Sequence, residues 1–116
     1  MRLRAERNQI VKDQLVNQNK TVAYRQSGSS MMPMIKSNDL CCYRPVRYDW
    51  EVSPGDIVFC EISHGREKRF YANQVKTKVW HDWHGVHYYE IGNLKGRING
   101  WCHIGNIYGR LYLVMQ

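Results

Sequence analysis

The chain has 116 residues, of which 43% are hydrophobic and 23% charged, and a mean hydropathy of -0.60. That describes one folded domain able to bury about two-thirds of its unfolded surface. It excludes a disordered tail and a helical membrane span, since no apolar run approaches the roughly 18 to 20 residues a bilayer requires. The net charge of +7 and pI near 9.4 suit a soluble protein or attraction to a polyanion. The basic residues are scattered, so nucleic acid is a weaker expectation than a protein or peptide partner.

The N-terminal stretch MRLRAERNQIVKDQLVNQNK has no apolar centre of a secretory signal. Residues 2 to about 18 predict a helix: Glu, Gln, Lys, Arg and Leu dominate, with neither Gly nor Pro. Leu3, Ile10, Val11 and Leu15 form its thin apolar stripe, which would rest on the domain or on a partner rather than inside a core. Gln26-Ser27-Gly28-Ser29-Ser30 then breaks the pattern with turn formers.

After Pro33 the chain turns β-rich. Leu40 to Val46 is a strand candidate, and Ser53-Pro54-Gly55-Asp56 is a turn that launches Ile57 to Ile62. The polar loop His64 to Glu67 leads into an alternating run from Phe70 to Trp80. There Tyr71, Asn73, Val75, Thr77 and Val79 face one way, expected inward, and Gln74, Lys76 and Lys78 the other, expected polar. Val86 to Ile91 and Tyr108 to Met115 are further strands, joined through Gly92-Asn93 and the segment Gly96 to Gly100. About six short strands behind one helix predict a mainly β fold with a coiled or barrel-like sheet.

Cys41, Cys42, Cys60 and Cys102 do not make a disulfide framework, because neighbours such as Cys41 and Cys42 bridge only with strain. Free thiols point to a reducing compartment, and the chain is expected in a cytoplasm. His81, His84 and His87 are three residues apart. They read as an exposed aromatic hairpin tip, with Trp80, Trp83, Tyr88 and Tyr89, since a tetrahedral metal site needs ligands that converge. No metal or other cofactor is expected.

The chemistry concentrates in Ser27-Gly28-Ser29-Ser30-Met31-Met32-Pro33-Met34-Ile35. A serine in such a turn can present its hydroxyl, and the turn leaves backbone N–H groups free for an oxyanion. Ser30-Met31-Met32-Pro33 resembles the Ser-Met-x-Pro nucleophile box of type I signal peptidases and LexA-like peptidases. The resemblance continues in order. Ser37 to Tyr43 is similar to the next box, Pro54-Gly55-Asp56-Ile57-Val58 to the family's Gly-Asp-hydrophobic turn, and Gly92-Asn93 through Trp101 to its Gly-Asp-Asn box. Ile107 to Leu111 resembles the closing strand. Together these segments span roughly residues 26 to 114.

The resemblance implies a coiled β-sheet fold of the LexA/signal-peptidase kind with one N-terminal α-helix. It also implies a serine endopeptidase acting on extended peptides through a Ser–Lys dyad. Ser30 would be the nucleophile, and the backbone of Ser30 and Ser29 the oxyanion donors. The base would lie on the strand from 70 to 80. Aligning Val75-Lys76-Thr77 with the bacterial pattern makes it Lys76; aligning Ala72-Asn73-Gln74-Val75 with the eukaryotic and archaeal pattern puts Asn73 in the place of a histidine base. An asparagine amide is no general base, so the second alignment implies an inactive relative serving as a binding, assembly or regulatory module. The family's membrane anchor, its helix-turn-helix and the Ala-Gly bond of self-cleaving repressors are not found in the sequence. A bare domain behind one basic helix suits a phage or mobile-element genome, with virion association and oligomerisation both open.

Overall fold

A computed structural model describes residues 2–26, 28 and 31–116, and the side chains from residue 6 onward within the first helix. Helix α1 spans Arg2–Val16. The strands are β1 (Val22–Gln26), β2 (Asp39–Pro45), β3 (Ile57–His64), β4 (Glu67–His81), β5 (Val86–Gly92), β6 (Ile98–His103) and β7 (Ile107–Met115). They form one antiparallel sheet in the order β1-β2-β7-β3-β4-β5-β6. The protein is therefore mainly β with one N-terminal helix, as its pattern of residues predicts.

Both faces of the central strands are buried, which is why β3 reads as an unbroken apolar run rather than an alternation. Ile57 and Phe59 enter one core with Cys41, Tyr43 and Tyr108. Val58, Cys60 and Ile62 enter a second core with Val75, Tyr89, Ile91, Cys102 and Ile107. Helix α1 covers the first core and belongs to it: Val11 and Leu15 are buried there, while Ile10 is exposed. The thin stripe is thus narrower than expected but contributes core side chains.

The second core closes because the sheet coils and brings β6 against β3. A Cβ on Gly100 would stand 3.0 Å from Ile62 Cγ2, and its φ of +146° is one that L side chains rarely adopt. Cys60 and Cys102 meet in the second core across this seam. All four cysteines are free and buried. Among the described residues no helix is long and apolar enough to cross a membrane.

Strands β1 and β6 escape the sequence pattern for local reasons. Val22–Gln26 is short and lies at a sheet edge, and Ile98–His103 carries Asn99 and Gly100, residues that favour turns.

Candidate functional site

Ser30 and Ser29, the expected nucleophile and oxyanion residues, lie outside the described residues. The positions before and after them are placed. Gln26 ends β1, where its carbonyl accepts the Asn38 N–H. Its side-chain amide donates to the Ala72 carbonyl of β4 at 3.4 Å and its Oε1 accepts the Tyr43 hydroxyl at 2.7 Å. Met31 is buried in the first core, against which Ala72 and Leu94 also pack.

The Gly-Asp turn fixes the strand that carries the candidate base. Gly55 donates its N–H to the Val75 carbonyl and Val75 donates to the Asp56 carbonyl, both at 2.8 Å. Gly55 reaches this position with φ near +97°, where glycine is favoured. The Asp56 carboxylate caps the turn by accepting the Ser53 N–H at 2.9 Å.

Immediately beyond, the β4–β5 register slips: Val75 pairs with Ile91, but Thr77 pairs with Glu90, leaving Lys76 as a bulge. A bulge inverts the alternation of side chains past it. The strict alternation expected for this strand is therefore wrong on one side. Lys78, expected on the polar face with Lys76, turns to the second core. There its amine donates to the carbonyls of Asp49 at 2.6 Å and Val52 at 2.8 Å and lies over the Tyr89 ring. Val79, expected to face inward, is exposed.

Lys76 itself is half-buried. Its amine donates to Gln74 Oε1 at 2.8 Å, and Gln74 in turn donates to the Gly55 carbonyl at 3.3 Å. Gln74 pairs with Ile57, so it stands on the first-core face. The stem of Lys76 crosses Gly92, where a Cβ would lie 3.2 Å from Lys76 Cε. Gly92 opens a tight loop in which Asn93 Oδ1 accepts the N–H groups of Lys95 and Arg97, each at 2.9 Å. Lys76 is thus held between the Gly-Asp turn and the Gly92-Asn93 box, two motifs far apart in sequence.

Asn73, the competing position, pairs with Val58 and shares its face, toward the second core. It is buried, and its amide donates to Asn99 Oδ1 at 2.6 Å. Sequence reading missed Gln26, Gln74 and Asn99. Only their strand positions, two residues from Gly28, two before Lys76 and beside Gly100, link them to the motifs.

Trp80 and Trp83 are exposed at the hairpin, but Tyr89, expected there with them, is buried in the second core, and the three hairpin histidines separate. His81 stacks on His84 with ring centroids 4.5 Å apart, whereas His87 Nδ1 lies 2.6 Å from Asp49 Oδ2. Comparison with family models, curated proteins and solved structures found no match to this chain.

Proposed function

We propose that this protein is a serine endopeptidase that takes an extended peptide between the open edges of β1 and β4. One observation carries the reading. Strand β1 is at the sheet edge, and residues 67–73 of β4 have no described strand on their second side, because pairing with β5 begins at Gln74. Gln26 links the two edges through Ala72, and the open stretch of β4 runs directly to Lys76. Unpaired strand edges are templates for an added strand, with main-chain hydrogen bonds supplying affinity.

In this reading Ser30 attacks the scissile carbonyl, Lys76 accepts its proton and later delivers it to the leaving amine. A neutral amine has two N–H donors and one lone pair. One donor satisfies Gln74 Oε1, and the lone pair is left to take the hydroxyl proton. The backbone N–H of Ser30, with that of Ser29, stabilises the oxyanion. No cofactor enters the scheme.

A second reading rests on Asn73 and its bond to Asn99. If this position belongs to the base, the amide replaces a titratable group with a neutral one, and the chain binds peptides or assembles with a protein without cutting. A single experiment separates the two: cleavage of a library of extended peptides by the wild type, Ser30→Ala and Lys76→Met. Cleavage by the wild type and by neither variant supports the enzyme. Peptide binding without cleavage by any of the three supports the non-catalytic module.

A further inference from the structure

Several of the 17 lysines and arginines lie on or beside the two open strand edges. On the β1 side, Arg7 of α1 donates to the Arg25 carbonyl at 3.3 Å and lies over the Tyr24 ring. The Arg25 side chain is exposed, with one guanidinium N–H on the Asn38 carbonyl. On the β4 side, Lys68 and Arg69 are exposed along the open stretch that leads to Lys76. Beyond Lys76, the Gly92 loop exposes Lys95 and Arg97.

The nearby acids sit in local bonds, Glu67 in an ion pair and the others with neutral donors. Glu67 pairs with Arg69 at 3.1 Å, Asp39 is buried and accepts the Lys36 N–H, and Asp56 caps Ser53. Glu90 accepts the Thr77 hydroxyl at 3.1 Å. Asp49, Glu51 and Asp82 lie at the opposite end of β4 or beside it, where Asp49 pairs with His87. Along β4, Lys68 and Arg69 lie on the open stretch, whereas Asp49 and Asp82 stand at the other end.

Resting on the cleft proposed above, we infer that its occupant is an acidic peptide, with Glu or Asp side chains flanking the segment that pairs with the strand edges. Strand pairing is blind to sequence, because it uses main-chain groups only. Selectivity must come from what the flanking side chains meet, and the exposed cations beside the open edges, outside the Arg69–Glu67 pair, are Arg25, Lys68, Lys95 and Arg97. Complementary charge of this kind raises encounter rates and suppresses unlike partners more than it adds affinity.

The test uses the full-length chain carrying Ser30→Ala, so that the probe is not consumed. A fluorescent Glu-rich extended peptide is titrated beside its Gln-substituted counterpart at low and at high salt. Two or three exposed ion pairs should favour the Glu-rich peptide by about tenfold at low salt, and the advantage should shrink to about twofold at high salt. Lys68→Gln with Arg97→Gln should erase most of the preference and leave the Gln-rich peptide unaffected. Equal affinity for the two peptides, with hydrogen-exchange protection of β1 and β4 amides, would overturn the acidic preference while leaving the cleft in place. Displacement of the peptide by oligothymidylate at lower concentration would overturn it in favour of nucleic acid. Binding of neither peptide would remove both the inference and the cleft on which it rests.

Discussion

Lys12 of α1 lies 3.1 Å from Glu61 Oε1 of β3, and the Tyr108 hydroxyl donates to the same oxygen at 2.7 Å. Glu61 is buried at 7% exposure, so this pair pins the helix to the sheet where Val11 and Leu15 supply only apolar contact. Burial pulls the Lys12 amine down, but its bonds to Glu61 and Tyr108 outweigh that and hold it above the ordinary lysine value of 10.5. A group raised on folding stabilises fully below its unfolded pKa and loses that contribution as pH rises through the folded one. The lysine's part in the pair should therefore be unchanged at neutral pH and weaken above about 10.5. Lys12→Met, which keeps an unbranched apolar side chain but loses the amine over the Tyr108 ring, should cost about 1–2 kcal/mol in urea denaturation by leaving a buried carboxylate short of a partner.

The two lysines of β4 should respond oppositely. Lys76→Met should abolish peptide cleavage with a stability change under about 1 kcal/mol, since among the described residues its amine bonds only to the side chain of Gln74. Lys78→Met removes the donor to two main-chain carbonyls and should cost about 1–3 kcal/mol while leaving cleavage intact. Paired kinetic and denaturation measurements on both variants check this. Loss of cleavage in Lys78→Met at full stability would contradict it.

Gly92→Ala should damage the site from below. Its Cβ would sit 2.6 Å from the Arg97 carbonyl oxygen and 3.2 Å from Lys76 Cε, so the loop or the lysine stem must shift. We expect about 1–3 kcal/mol of destabilisation together with a fall in cleavage or in peptide affinity. Gly85→Ala is the control: nothing lies within 4 Å of its Cβ, and only its left-handed backbone resists, by roughly 1 kcal/mol.

The thiols should be inert in the native state. Burial pushes Cys41 up to about 11, and the hydrogen bond to Cys102, together with burial, holds Cys60 well above the ordinary thiol value. Since the thiolate is the reactive form, an aromatic disulfide reagent at neutral pH should label the folded chain slowly. In denaturant it should label all four cysteines. Rapid labelling of Cys60 in the folded state would contradict the closed β3–β6 seam.

Local chemistry wrote much of this protein directly into its sequence. The uninterrupted helix formers before residue 17 give α1, the run from Ile57 gives β3, and Gly55-Asp56 and Gly92-Asn93 mark the two turns that bracket Lys76. Each depends on residues within a few positions of one another, so propensity and pattern suffice. The tertiary structure alone decided how the side chains of β4 are dealt between faces. Alternation assumes one buried face and an unbroken ladder, but here both faces carry a core, and a bulge at Lys76 sends Lys78 inward and Val79 outward. That slip is set where the Gly55-Asp56 turn grips Val75 and where β5 ends at Gly92, contacts between segments some 20 residues apart. The same holds for the Lys12–Glu61 pair and the Asn73–Asn99 bond, whose partners meet only once the sheet has coiled and the helix has docked.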